Sequence, residues 1–143
     1  MFPTKEQLLK NFFSCMTWEE KYLYIIDLGK LLPRFPEDFR TQQYLVSGCQ
    51  SRTWITITNY SHYNSSNNDF LDFYGDSDST IIKGVITIIF SLYQNLNIKS
   101  IVKLDVYNFL NQLKLNQHVT ITRVQGIYSI INTIKMQINN IIP

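Results

Sequence analysis

The stretch TWITITNY, residues 53–60, decides the fold class, because its β-branched and aromatic residues are typical of a strand. Turn-forming residues NSSNND follow at 64–69, and FLDFYG at 70–75 predicts a second strand. The two runs together predict a β-hairpin. The residues between Tyr44 and Cys49 favour a third short strand in front of it, so we expect a small antiparallel sheet of about three strands.

Helical patterns precede this sheet. Thr4 with Gln7, and Thr17 with Glu20, have the spacing of capping boxes, which predicts two helices near the N-terminus. The second helix is expected to end near Gly29, where glycine and a following proline interrupt the pattern.

Further helices are predicted after the sheet. The stretch GDSDST supplies N-cap residues for a long helix from about Thr80 to Tyr93. Two short helices are expected around Ser100 and from Asp105 to Leu113, and a last helix begins near Thr122 with Gln125 as its capping partner. The apolar stripe of that last helix is Ile127, Ile131, Ile134 and Ile138. Helices, a small antiparallel sheet and further helices define an α+β protein.

The bulk properties bound the function classes. The 143 residues predict a single domain, residues 1–143, and the net charge of +2 is too small for a nucleic-acid-binding surface. The N-terminus lacks the pattern of a signal peptide, and the most apolar run, residues 84–93, is too short to span a membrane. Two cysteines do not form a disulfide framework, so we expect a cytoplasmic protein with reduced thiols and no membrane partner.

The sequence lacks the residue patterns that most catalytic chemistries require. The five glycines never cluster into a phosphate loop, and two His with two Cys scattered along the chain predict no metal site. A Cys–His protease would need Cys49 with His62 or His118, but neither histidine has an evident orienting acid. We expect His118 to be structural, and we expect no bound cofactor.

The two cysteines lie in different surroundings. Cys15 follows two phenylalanines at a helix end, which favours a small buried hydrophobic residue. Cys49 lies in LVSGCQSRTW, residues 45–54, where Gly48 permits unusual backbone angles. A thiol on a short polar loop anchored to a sheet, with Trp54 beneath it, is well placed to enter a partner's active site. From the pattern alone, a reactive thiol and an incidental cysteine remain equally open.

Four segments, in this order, carry a resemblance to a known family. They are WEEKYLYIIDLGKLLP (18–33), GCQSRTW (48–54), GDSDSTIIKGVITIIFSLY (75–93) and LNQHVTITRVQG (115–126). Together they resemble the SufE/CsdE family of sulfur-acceptor proteins in the SUF system of iron–sulfur cluster assembly, which implies a SufE/IscU-like fold. The hairpin turn HYNSSNND is longer than the family's pattern, which leaves the conformation around residues 61–69 open.

The resemblance implies a sulfur carrier that also stimulates a cysteine desulfurase, without being a stand-alone enzyme. Cys49 would accept a sulfane sulfur as a persulfide from the desulfurase SufS, whose own cofactor is PLP, and pass it to the SufBCD scaffold. Thiolate attack on a sulfur–sulfur bond needs one accessible thiol and no metal. The sequence does not decide which desulfurase donates, which scaffold subunit accepts, or whether the free protein forms a homodimer.

Several other residues receive expected roles beside Cys49. Gly48, Gln50 and Ser51 would shape its loop. Asp76 and Asp78 are expected as helix caps or as hydrogen-bond acceptors for that loop.

Two further residues are singled out within helices. Arg123 lies in the first turn of a helix, where a cation opposes the macrodipole, so it is expected to dock a partner or to position the loop. Gly84 is expected to mark close helix packing, since a glycine costs about 1 kcal/mol in a helix relative to alanine.

Two other classes of protein stay open. One is a non-catalytic protein-binding module in which Cys49 is incidental, and the other is a cysteine-dependent thiol hydrolase. Cys49 is further expected to lie in a protected position in the free protein, sheltered by Trp54, Leu45 and Val46, and to become exposed when the donor binds.

Overall fold

A computed structural model describes residues 2–59, 71–115 and 121–141 of the chain, without the side chains of residues 59, 121 and 122. The described residues form six helices and a hairpin of two strands. In chain order they are α1 (Lys5–Ser14), α2 (Trp18–Gly29), β1 (Thr53–Asn59), β2 (Leu71–Ser77), α3 (Thr80–Tyr93), α4 (Ile98–Lys103), α5 (Val106–Gln112) and α6 (Ile121–Ile141), with 3-10 turns at Glu37–Phe39 and Gln42–Tyr44. The α+β prediction is confirmed.

The two N-terminal helices begin where the capping residues predict. Thr4 and Gln7 form a complete capping box at α1, each side chain bonding the other residue's backbone N–H. At α2 the Thr17 side chain accepts from the backbone of Glu20, but the Glu20 carboxylate accepts from the backbone N–H of Met16 instead. The N-terminus of α2 is therefore capped by Thr17, without the reciprocal bond.

The hairpin is confirmed, and the third strand is wrong. Strands β1 and β2 pair antiparallel from Thr53 opposite Ser77 to Asn59 opposite Leu71. In front of them, Leu45 forms a single antiparallel bridge with Trp54. A 3-10 turn ends at Tyr44 and Gly48 turns the chain with a φ of +87°, so too few extended residues remain between them for a strand.

Helix α3 has the bounds that the sequence predicts and lies in the core, where nearly all of its residues are buried. It crosses α2 at Gly84, where a Cβ atom would collide with the backbone carbonyl oxygen of Ile25. The expectation that Gly84 marks close helix packing is confirmed. Strand β2 packs closely on the same helix: a Cβ at Gly75 would lie only 2.8 Å from the Cγ2 atom of Ile86.

Helix α6 covers the open edge of the hairpin. Its predicted stripe, Ile127, Ile131, Ile134 and Ile138, is buried. Gln137 accepts a hydrogen bond of 2.8 Å from the backbone N–H of Ile57 and donates one of 2.7 Å to the carbonyl oxygen of Ile55. An unpaired strand edge would leave these backbone groups without partners, so the glutamine side chain replaces a neighbouring strand. The described part of α6 starts at Ile121, next to the predicted start near Thr122, and the Thr122 side chain that was expected to cap it lies outside the described side chains.

Some predictions fall on other parts of the chain. The hairpin turn around residues 61–69, His62 and His118 lie outside the described residues. Within the described ranges, none of the helices combines the length and the apolar character needed to cross a membrane.

Candidate functional site

Residues 47–52, which we call the cysteine loop, connect the Leu45 bridge to β1. Backbone hydrogen bonds hold both of its ends: the N–H of Val46 donates to Thr53 O at 2.7 Å, and the N–H of Asp78 donates to Arg52 O at 2.9 Å. Gly48 adopts a φ of +87°, a left-handed conformation that glycine enters without the steric cost of a Cβ. The loop is thus a short excursion from the sheet with fixed ends.

The Cys49 sulfur is part of a group of four polar groups that we call the hydroxyl cluster. Its members are the Cys49 thiol, the Thr53 and Ser77 hydroxyls and the Ser51 carbonyl. Thr53 Oγ1 lies 3.4 Å from Cys49 Sγ, 2.9 Å from Ser77 Oγ and 3.1 Å from the carbonyl oxygen of Ser51, to which it donates. The strand register places Thr53 opposite Ser77, which brings the two hydroxyls together. Cys49 itself is half-buried.

Helix α6 closes the other side of the sulfur. A Cβ at Gly126 would lie 3.2 Å from Cys49 Sγ, and a Cβ at Gly48 would lie 2.7 Å from Ser129 Oγ. Residues 126 and 129 are one turn apart and therefore share a helix face. The loop rests directly on this face because both contacts are made through a glycine.

Trp54 does not lie beneath the sulfur. Thr53 contacts the sulfur, and consecutive residues of a strand point to opposite faces of the sheet, so Trp54 points away from it. Its ring is flanked by two guanidinium groups, Arg40 at 4.8 Å and Arg52 at 5.0 Å from the ring centroid. Cation–π contacts of this kind stabilise partly desolvated pairs. The sequence assigned the base of the loop to Trp54, and the structure gives that place to Thr53.

The prediction of Asp76 and Asp78 as helix caps is wrong. Ser79 caps α3, and its side chain accepts from the backbone N–H of Ile82. Asp76 instead pairs with Arg40 at 2.9 Å and lies 3.8 Å from the Lys83 ammonium. It therefore fixes the segment that leads into the cysteine loop, while Asp78 supports the loop through its backbone N–H.

Arg123 is not a solvated side chain. It lies in the first described turn of α6, and its Nη1 atom donates a partly buried hydrogen bond of 2.6 Å to the Tyr22 hydroxyl of α2. The guanidinium also lies 5.9 Å from the centroid of the Tyr22 ring. Since Arg123 precedes Gly126 by one turn, it lies on the helix face that contacts Cys49.

The remaining predicted residues divide between the loop and the rest of the chain. Gln50 is exposed, and Ser51 contributes its carbonyl to the hydroxyl cluster. Cys15 caps the C-terminus of α1, is half-buried and lies 3.4 Å from the carbonyl oxygen of Asn11. Cys15 is therefore not the small buried residue that the sequence favoured, because part of it is exposed. Among the described residues, no three His, Cys, Asp or Glu side chains gather closely enough to hold a metal ion.

Sequence reasoning missed four residues of the site. Thr53, Gly126 and Ser129 contact the loop, and Ser77 bonds Thr53. Thr53 is the first residue of β1, and nothing in the sequence indicates that its hydroxyl contacts a thiol. Gly126 carried a usable signal, because a glycine inside a helix costs stability and usually marks a close approach, as it does at Gly84.

Comparison with solved structures agrees with this fold. The solution structure of a hypothetical protein from Thermus thermophilus has the same fold, with a TM-score of 0.72 over 98% of this chain and 97% of that one, at 15% sequence identity. Fold and site together define an α+β domain with one thiol on a loop between sheet and helix.

The sequence comparisons identify the family. Residues 6–138 match the family model "SufE: Fe-S metabolism associated domain". The chain is also 46% identical over 134 residues to the cysteine desulfuration protein SufE of Wigglesworthia glossinidia brevipalpis, covering 94% of this chain and 89% of the relative. This chain belongs to the SufE family, and its role lies in sulfur transfer for iron–sulfur metabolism.

Proposed function

We propose that the protein accepts sulfane sulfur as a persulfide on Cys49 from a PLP-dependent cysteine desulfurase of the SufS type. It then passes the sulfur to a scaffold of the SufBCD type. The observation that carries the proposal is the position of Cys49: a half-buried thiol on a loop that is fixed at both ends and bordered by neutral groups. The relative's name, a cysteine desulfuration protein, supports the same chemistry.

The transfer needs little more than this thiol. The Cys49 thiolate attacks the outer sulfur of the donor's persulfide, the donor's sulfur–sulfur bond breaks, and the donor's cysteine leaves as a thiolate. Cys49 then carries the persulfide. Cys15 lies on a different element, at the C-terminus of α1, so we do not assign it the role of a resolving thiol.

Partial burial suits a carrier. A permanently exposed persulfide would be oxidised or would lose its sulfur to small thiols. Contact with Gly126 on one side and Thr53 on the other restricts access to the sulfur in the free protein. We therefore expect the loop to turn outward when the desulfurase binds, with Gly48 supplying the backbone freedom.

We assign docking of the desulfurase to the α6 face next to the loop. Arg123 lies one turn before Gly126, and its bond to Tyr22 holds the guanidinium in place at the edge of the site. Gln50 projects from the loop into solvent on the exposed side. A partner that reaches the sulfur would meet both residues.

Loading with sulfur tests the proposal. After treatment with a cysteine desulfurase and cysteine, we expect the intact mass to rise by one sulfur, about 32 Da, and a reductant to reverse the gain. Cys49→Ser should gain nothing, whereas Cys15→Ser should load like the wild type.

Loading that survives in the Cys49 variant would overturn the site. A protein that never gains sulfur, while the desulfurase alone is active, would be a binding module or a thiol hydrolase instead. These outcomes separate the proposal from the two other classes that the sequence leaves open.

A further inference from the structure

The hydroxyl of Thr53 is polar but fully buried, and it contacts three other groups of the hydroxyl cluster. Such a group is expected to be satisfied by defined hydrogen bonds, because an unsatisfied buried hydroxyl costs free energy. The direction of each bond can therefore be worked out.

A threonine hydroxyl has one proton to donate and two lone pairs to accept with. The Ser51 carbonyl can only accept, so it takes the Thr53 proton. All of these contacts become hydrogen bonds if Cys49 Sγ and Ser77 Oγ donate to Thr53, and the Ser77 oxygen in turn accepts from the backbone N–H of Ser79 at 3.1 Å. In this arrangement every group has a partner, provided that Cys49 is a protonated thiol.

We propose that Thr53 is a positioning residue that holds Cys49 in its half-buried place as the protonated thiol, and that the loop is released when this proton is lost. A thiolate has no proton to donate, so its lone pairs would face those of Thr53. The Thr53 proton could turn to the sulfur only by leaving the Ser51 carbonyl, which would free the middle of the loop. Either way the closed position loses one hydrogen bond.

Three charged side chains on the elements around the loop have partners of their own. Arg52 lies over the Trp54 ring, Asp76 pairs with Arg40, and Arg123 bonds Tyr22. Asp78 is exposed at the end of β2. The neutral hydroxyl of Thr53 is therefore the polar side chain that we assign to the control of the sulfur.

This inference deepens the proposed function and rests on it, because release of a reactive thiolate is what a sulfur carrier needs. It can nevertheless be tested without any sulfur transfer, by timing the modification of Cys49 with iodoacetamide and reading each cysteine separately by peptide mass. Sulfur loading is measured in parallel, so failure of the positioning role of Thr53 and failure of the carrier function give different results.

The decisive variant is Thr53→Val, which removes the hydroxyl at nearly constant shape. We expect Cys49 to react roughly three- to tenfold faster, the equivalent of one lost hydrogen bond. Thr53→Ser should restore the slow rate. Thr56→Val is the matched control, since Thr56 is buried on the same strand and its hydroxyl has no partner among the described residues.

Cys15 provides an internal reference in the same molecule. Its rate should be the same in all variants, because α1 is distant in sequence and its thiol bonds the Asn11 carbonyl. If Thr53→Val leaves the Cys49 rate unchanged or slows it, the inference is wrong. It is equally wrong if Cys15 accelerates by the same factor or if Thr53→Ser fails to restore the slow rate.

The role of the thiol proton has its own test, hydrogen exchange of the backbone amides in Cys49→Ala. Removing the sulfur removes the donor to Thr53, so amides of residues 47–52 should exchange several-fold faster, while those of β1 and β2 keep their protection. Loop amides that exchange as slowly as in the wild type would show that the Cys49 proton does not hold the loop.

Discussion

Gly84 and Gly126 each lie within a helix and each allow another segment to approach closely, and the two contacts differ in what surrounds them. At Gly84 of α3, a Cβ would collide with the carbonyl oxygen of Ile25, and both residues are buried in the core. At Gly126 of α6, a Cβ would lie 3.2 Å from the sulfur of Cys49, which is half-buried on a loop.

The difference shows that a glycine within a helix can either fix the core or border a functional site. The contact between α2 and α3 joins backbone to backbone inside apolar surroundings, so it can open only if the core opens. The cysteine loop that contacts α6 is held by a few hydrogen bonds to Thr53 and Asp78 and has exposed residues on either side of Cys49, so this contact can open locally. The depth of the contact, more than its closeness, separates a structural glycine from one at a functional site.

The strongest test of this comparison is Gly84→Ala. The added methyl group would meet a backbone carbonyl that cannot rotate away, so we expect a loss of about 3 kcal/mol in the free energy of unfolding. Urea denaturation followed by circular dichroism measures it. A loss below about 1 kcal/mol would mean that α2 and α3 can move apart, and the contrast with Gly126 would disappear.

Gly48→Ala should have the second largest effect. A left-handed conformation costs a residue with a Cβ about 1 to 2 kcal/mol, and the new methyl group would also meet Ser129 Oγ. The double variant with Ser129→Ala removes the clash and leaves the backbone strain. If the double variant is as stable as the wild type in urea denaturation, backbone strain at Gly48 is not the cause.

Arg123→Ala should cost about 1 kcal/mol of stability, because it removes the hydrogen bond to Tyr22. The loss stays small because that bond is partly exposed and because the lost cation had opposed the helix macrodipole. The larger effect of Arg123→Ala should be weaker activation of a desulfurase in a titration. Tyr22→Phe is the matched control, because it removes the hydroxyl and keeps the ring.

The two variants separate docking from positioning. Normal activation by Tyr22→Phe with weak activation by Arg123→Ala indicates that the guanidinium contacts the partner directly. If Arg123→Ala activates normally, the arginine only joins α2 to α6.

Gly126→Ala should change stability least. The gain in helix propensity of about 1 kcal/mol offsets the tight contact with the sulfur, so the midpoint in urea should hardly move. The sulfur must shift by a fraction of an ångström, and we expect Cys49 to react with iodoacetamide about threefold faster than in the wild type. An unchanged labelling rate would mean that the loop absorbs the methyl group without opening.

Much of the fold follows from local patterns. Thr4, Thr17 and the GDSDST stretch mark helix starts, because a helix N-terminus needs side-chain acceptors for its unpaired N–H groups. The stripe from Ile127 to Ile138 identifies the buried face of α6. The predicted third strand failed because a sequence run does not show that Gly48 turns the chain after two extended residues.

The candidate site divides in the same way. The sequence by itself determined that Cys49 is a loop cysteine beside a glycine, that Gly84 needs a close neighbour, and that the motif belongs with SufE proteins. The tertiary structure alone decided that Thr53, bonded to Ser77, lies against the sulfur and that Gly126 covers the sulfur. The first contact depends on strand register, and the second on the packing of α6 against a loop more than seventy residues earlier in the chain. Contacts between such distant segments leave no periodic pattern in the local sequence.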